Sequence, residues 1–265
     1  MNIKNKTFKL THSPGATLIT GGAKRIGLEI TKILAEEKYP VAIHYKKSKK
    51  EAELLAKKIR DQNKTQVITI YANLTIEEDI QKAFKKVKKE LGPITCLINN
   101  ASSFVLDDIN TSNRKLWDRH LQTNLRAPFL LCQLMAKMLP KNLQGNIINI
   151  IDERVLNLTP YFLSYTISKS ALWTMTQTLA LALAPNIRVN AVGPGPALPS
   201  DRQTSTQFKE QCLRMPLKRG TTPKEIAETV KFLLCMPAIT GQLINLDGGQ
   251  HLGWAQPSSC EQKDD

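Results

Sequence analysis

Short apolar runs rich in β-branched residues alternate along this chain with longer stretches whose apolar positions recur every three to four residues. Runs at 16–20, 41–45, 66–72, 94–99, 145–151, 186–192 and 242–246 have the length and composition of buried strands, which in a parallel sheet are covered on both faces. The stretches between them carry the helical period. Ile26, Ile30, Ile33 and Leu34 share one face after the first run, and 76–91, 116–138, 165–184 and 223–236 continue the pattern. This order predicts the α/β class, as a single-domain, Rossmann-type doubly wound parallel sheet of about seven strands with helices on both faces.

Some stretches depart from the alternation. Pro128 falls inside the 116–138 pattern, where it should kink the helix or end its first half. The helix beginning near Tyr165 is apolar nearly all round, so a single sheet cannot cover it, and a subunit interface is expected along it. Residues 197–219, which follow Gly193-Pro194-Gly195-Pro196, are polar and loosely patterned, as expected of a substrate lid. The domain is expected to span 14–250, with tails at 1–13 and 251–265 and fraying from Ser258.

Composition narrows the class further. With 265 residues and 42% hydrophobic content the chain can bury one large core. Its 37 Lys and Arg against 23 Asp and Glu give a formal charge of +14, a balance that would suit a polyanion. The lysines, however, fall at 46–50, 57–58 and 82–89 on stretches that read as solvated helix faces, without interleaved aromatics or a helix-turn-helix pattern. No nucleic-acid partner is expected. Cys96, Cys132, Cys212, Cys235 and Cys260 are odd in number and form no Cys-x-x-Cys pair, so neither disulfide staples nor a metal site is expected. The N-terminal stretch lacks an apolar signal core and no run reaches ~18 apolar residues, so the expectation is a cytoplasmic protein without a membrane partner.

The residues able to do chemistry gather after the predicted strands. Gly21-Gly22-Ala23-Lys24-Arg25-Ile26-Gly27 follows the first, where Gly21 tightens a turn, Gly27 lets helix and strand approach, and amides at the helix N-terminus can face a pyrophosphate. The second strand ends at His44-Tyr45, and where an NAD site would offer a carboxylate to the ribose 2′-hydroxyl, Lys46, Lys47 and Ser48 stand instead. Cations and a hydroxyl fit a 2′-phosphate, which points to NADPH over NADH. Asn73 and Leu74 end the third strand where an adenine could lie. Asn99-Asn100-Ala101 is placed to line a cofactor after the fourth, with Phe104 projecting beyond it. Asp152 closes the fifth strand at the same cleft. Tyr165 and Lys169 lie one helical turn apart on a single face. A cation about 4 Å from a phenol, at an effective dielectric of ~20, is worth roughly 4 kcal/mol, enough to lower a pKa near ~10 by about 3 units before screening. The proton would then lie where general acid catalysis is effective.

Taken in order, Thr20-Gly21-x-x-x-Arg25-x-Gly27, Asn99-Asn100-Ala101, Asn124, Tyr165-x-x-x-Lys169 and Pro194-Gly195 resemble the short-chain dehydrogenase/reductase family over roughly residues 17–249. Within it the chain looks like the pteridine reductase and dihydromonapterin reductase branch. Arg25 replaces the usual central glycine, His44-Tyr45-x-x-Ser48 is similar to that branch's 2′-phosphate segment, Asn99 to Phe104 is similar to its pterin-stacking loop, and Asp152 stands where most of the family has serine. The resemblance implies NADPH-dependent reduction of a dihydropterin (dihydromonapterin, dihydrobiopterin or dihydrofolate) by hydride transfer to C6=N5, with Tyr165 as proton donor or relay. It implies that Lys169 lowers the phenol's pKa and holds the nicotinamide ribose, and that Asn124 supports a water or proton path. It implies a pterin stacked on Phe104 and met by Asp152, Ser102, Arg25 and Tyr165. Gly21, Arg25, Ile26, Gly27, His44, Tyr45, Lys46, Lys47, Ser48, Asn73, Leu74, Asn100, Ala101, Ser102, Tyr165, Lys169, Pro194 and Gly195 would meet the cofactor, and the assembly would be a homotetramer. Asp152 could donate a proton only if burial raised it from an ordinary ~3.9; otherwise it orients Tyr165 or the pterin, and both roles stay open. So do two other readings, an NADPH carbonyl or 3-oxoacyl reductase and a non-catalytic NADP-binding regulatory or nucleic-acid-associated protein.

Overall fold

In the computed structural model, which describes residues 15–63, 65–200 and 203–253, strands β1 (Ala16–Ile19), β2 (Val41–Tyr45), β3 (Val67–Tyr71), β4 (Ile94–Asn99), β5 (Gly145–Ile150), β6 (Ile187–Pro194) and β7 (Leu243–Leu246) form one parallel sheet. Their order is 3-2-1-4-5-6-7. The tail expected at 1–13, the fraying expected from Ser258 and Cys260 lie outside the described residues.

Successive strand residues supply opposite cores. Ile19, Ile43, Ile98 and Ile148 meet helices α1 (Arg25–Glu36), α2 (Lys49–Asn63) and α8 (Pro223–Cys235), the last α-helix among the described residues. Their neighbours Leu18, Ala42, Leu97 and Ile147 meet α3 (Glu77–Leu91), α5 (Ala127–Met138) and α6 (Leu163–Leu183). Burial on both faces is why the strands read as unbroken apolar runs. Because every strand is parallel, all carboxyl ends share one edge of the sheet. The order reverses between β1 and β4, which opens the crevice where open α/β sheets bind ligands.

Two segments differ from expectation. The predicted helix at 116–138 is divided: α4 (Arg114–Leu121) runs through a π-turn at Gln122–Arg126 into α5, and Ala127 N–H donates to the Gln122 carbonyl. Pro128 offers no N–H to the carbonyl of Asn124 and its ring crowds that group, so the turn before it widens and the first half of the helix ends there, one of the two outcomes the sequence suggested. Within the 197–219 segment stands a further helix, α7 (Ser205–Leu213), opened by a reciprocal capping box between Thr204 and Gln207. None of its residues is buried, which explains the missing apolar period. The ends of this segment are tied by Thr221 N–H donating to Pro196 O at 3.0 Å.

Helix α6 buries Tyr165, Ser168, Lys169, Leu172, Thr176 and Ala180, while Leu181 on its other side is 84% exposed. Beside it Leu121, Leu125, Phe129 and Met175 line an apolar groove of about 340 Å³. Among the described residues no helix is long and apolar enough to cross a membrane, and no cluster of His, Cys, Asp and Glu could hold a metal ion.

Candidate active site

The switch point is closed by side chains reaching across it. Asn100 donates its Nδ2–H to Thr20 O at 2.9 Å and to Gly21 O at 3.2 Å, and the backbone N–H groups of Asn100 and Ala101 donate to Thr20 Oγ1. Gly21 takes φ +63°, and a Cβ on Gly27 would collide with the Gly21 carbonyl. The turn is therefore drawn against the helix start more closely than any larger residue permits. Arg25 also adopts a positive φ, 52°, and its Nη1 donates to Pro199 O at 3.1 Å, so it bridges the glycine turn to the segment after β6. Ile26 is half-buried at the start of α1.

His44 is a correction to the sequence reading. Its Nδ1 accepts from Gly21 N–H at 3.0 Å, which leaves Nε2–H to donate to Ala72 O at 3.0 Å, and the ring is 4% exposed. With both nitrogens committed inside the protein it supports the glycine turn from below and cannot meet a 2′-phosphate. Lys46 and Lys47 are exposed just past β2, Ser48 is half-buried beside them, and Tyr45 makes an edge contact with Tyr71 at 6.1 Å. At the end of β3 the Asn73 N–H donates to Asp79 Oδ2 at 2.9 Å and Leu74 is buried. Pro194 ends β6, and a Cβ on Gly195 would lie 2.7 Å from the Cα of Asp247.

Burial lowers the His44 pKa from 6.5 to about 4. Between those values the unfolded chain binds a proton that the folded chain refuses, so stability falls as pH drops through this window, by about 3 kcal/mol when complete. Urea unfolding at about pH 7.5 and about pH 5 should show a wild-type loss near 2 kcal/mol from this group, and His44→Gln should remove that part of the pH dependence. An unchanged pH dependence in the variant would refute the assignment.

Around β5 and α6 the geometry is tighter. The Tyr165 hydroxyl donates to Asp152 Oδ2 at 2.6 Å, and Asp152 Oδ1 accepts from Arg154 N–H at 3.0 Å, capping the short 3-10 turn Glu153–Val155. Lys169, 2% exposed, donates to Ile150 O at 2.8 Å and lies 5.8 Å from the centre of the Tyr165 ring. Burial lowers the lysine to about 8 against the opposing charge of Asp152. Tyr165 moves opposite to the expectation: burial first, then the charge and hydrogen bond of Asp152, push the phenol well above 10, and the cation that opposes them is Arg154. The Lys169 ammonium donates to the Ile150 carbonyl and not to the phenol.

Asn124, 1% exposed in the π-turn, ties the loop after β4 to α6. Its Oδ1 accepts from Ser103 N–H at 2.7 Å and Ser102 O–H at 3.2 Å, and its Nδ2–H donates to Ser103 O and Ser168 Oγ, each at 3.0 Å. Phe104 is thereby set beside Tyr165, edge to face at 4.7 Å, with 41% of its surface exposed. A second anchor escaped the sequence reading. His120 Nε2 accepts from Val105 N–H, so its Nδ1–H donates to Ser164 Oγ at 2.6 Å, and the serine hydroxyl donates to buried Asp107 at 2.5 Å. Nothing in the spacing of Asp107, His120 and Ser164 signals this chain, because three separate elements bring them together. Phe162, the N-cap residue before α6 with φ 56°, also went unread, because its left-handed backbone takes it off the helical spacing of Tyr165.

The chain matches the short chain dehydrogenase family over residues 16–210, and it belongs to that family. A 3-oxoacyl-[acyl-carrier-protein] reductase, FabG, of Staphylococcus epidermidis is 32% identical over 89% of this chain and 99% of its own. Among solved structures, FolM alternative dihydrofolate reductase 1 from Brucella canis, complexed with NADP, is 44% identical, with a TM-score of 0.86 over 92% of this chain and 96% of that one. The same protein from Brucella suis, also with NADP, is 44% identical, with a TM-score of 0.85 over 92% and 98%.

Proposed function

We propose that this protein is an NADPH-dependent reductase converting a dihydropterin (dihydromonapterin, dihydrobiopterin or dihydrofolate) to its tetrahydro form. The observation that carries the reading is the Tyr165 hydroxyl on the Asp152 carboxylate at 2.6 Å, beside the half-exposed ring of Phe104. A ketone calls for a hydroxyl donor where Asp152 stands, whereas a flat heterocycle rimmed with N–H groups is matched by a carboxylate and an aromatic face. The 44% identical relatives named as alternative dihydrofolate reductases support the same reading.

The residues fit the cofactor. The turn at Gly21 and Gly27 is drawn in more closely than a Cβ on Gly27 permits, as a pyrophosphate-binding turn requires, and Lys46, Lys47 and Ser48 form a donor set suited to a 2′-phosphate. When bound, NADPH supplies the hydride delivered to the substrate's C=N bond. Tyr165, kept protonated at neutral pH by burial and by Asp152, holds the proton that the reduced nitrogen takes, directly or through water. Asp152 orients the phenol and accepts from the substrate's ring N–H groups. Lys169 holds the nicotinamide ribose, and Asn124 fixes the loop that presents Ser102 and Phe104. Arg25 meets the cofactor phosphates and the substrate's polar edge, and the lid determines which side chain the pterin carries. The second reading, a 3-oxoacyl reductase, is favoured by the 32% identical relative of that name. We further propose a cytoplasmic homotetramer, with the apolar groove beside α6 covered by a second copy and no nucleic-acid partner.

NADPH oxidation followed with dihydromonapterin, dihydrobiopterin, dihydrofolate and a 3-oxoacyl thioester tests this directly. Turnover of at least one dihydropterin is expected. Turnover of the thioester alone would replace the reading with its rival.

A further inference from the structure

We propose that Arg154 is a positioning residue that fixes the aromatic platform of the site, through Phe162, for a flat heterocyclic substrate. The inference rests on the dihydropterin reading and extends it to a buried residue behind the platform.

Arg154 lies two residues past Asp152 and is 7% exposed. Its guanidinium sits 4.8 Å over the ring of Phe162, and its Nη1 donates to Thr159 Oγ1 at 3.2 Å. Thr159 in turn donates to Tyr161 O at 3.2 Å, which ties the segment before α6 to the same arginine. Phe162 is wholly buried and stacks on Phe104 with ring centres 4.4 Å apart and planes 4° from parallel. A guanidinium, a buried ring and a half-exposed ring thus form one pile that ends at Phe104, next to the phenol of Tyr165.

Each layer depends on the one beneath it. Parallel stacking of two phenyl rings sets like quadrupoles against each other, and a cation on the far face of Phe162 draws density from that ring and relieves the opposition. Phe162 holds φ 56° at the start of α6, a conformation costly for a residue with a Cβ, so the ring needs contacts on both faces to stay there. Arg154 also joins the two halves of the site: its backbone N–H holds Asp152 Oδ1 while its side chain holds the pile. A substitution at this position keeps the N–H, so the ring contribution can be tested separately.

The experiment compares wild type, Arg154→Met and Arg154→Lys by steady-state kinetics on the dihydropterin the enzyme turns over, and repeats Arg154→Met in a Phe104→Ala background. Arg154→Met should raise the dihydropterin KM about tenfold with kcat changed less than about threefold and the NADPH KM unchanged, and Arg154→Lys should recover part of the loss. In the Phe104→Ala background the same substitution should have little further effect on KM. A dihydropterin KM within about twofold of wild type, an equal effect with and without Phe104, or a matching rise in the NADPH KM would overturn the proposal. A crystal structure of Arg154→Met separates this failure from that of the functional reading: Phe162 and Phe104 should lose their parallel stack whatever the substrate, and an intact stack would overturn the role of Arg154 even in an active dihydropterin reductase.

Discussion

Replacing Tyr165 with phenylalanine is expected to lower kcat for a dihydropterin by about 10³-fold while leaving NADPH affinity within about threefold. The phenol is buried at the cleft and kept protonated. It is 4% exposed, its pKa is raised by burial and by Asp152, and its hydroxyl is held at 2.6 Å from a carboxylate that fixes its direction. Phenylalanine keeps the ring, and so the edge contact with Phe104, while removing the proton. Steady-state kinetics with a parallel cofactor titration by fluorescence measure both quantities. A kcat within about tenfold of wild type would take Tyr165 out of the proton path.

The second large effect is expected at Asp152→Asn, which keeps the shape and removes the charge. Activity on a dihydropterin should fall about 10²-fold, since the variant loses the charge that meets the substrate's N–H groups. The pH profile supplies the sharper test. The Asp152 charge raises the Tyr165 pKa, so without it the phenol loses its proton at lower pH. Its acid form then persists over a narrower range, and the basic limb of the kcat profile should move toward neutral pH. A basic limb that stays in place or moves upward would show that the carboxylate does not act on the phenol.

Much of the cleft was legible because its parts sit at the carboxyl ends of strands, and strand ends can be read from hydrophobic runs. Gly21, Asn100 and Asp152 follow β1, β4 and β5, Gly27 lies in α1 and Tyr165 in α6, and the sheet brings these segments to one edge. His44 misled because it ends a strand like a ligand residue, yet strand pairing turns it inward between the glycine turn and Ala72. Lys169 misled for a related reason. Helical spacing put it beside Tyr165, but the position of β5 decided that its ammonium would meet the Ile150 carbonyl.

The sequence by itself determined the class of fold, the order of the strands along the chain, and the residue types available at each strand end, because these depend on local periodicity and on contacts between near neighbours. Only the tertiary structure decided the direction in which Tyr165 titrates, the chain from His120 through Ser164 to Asp107, and the pile from Arg154 to Phe104. Those depend on burial and on distances between segments far apart in sequence, and both are fixed only when the two cores close around the sheet.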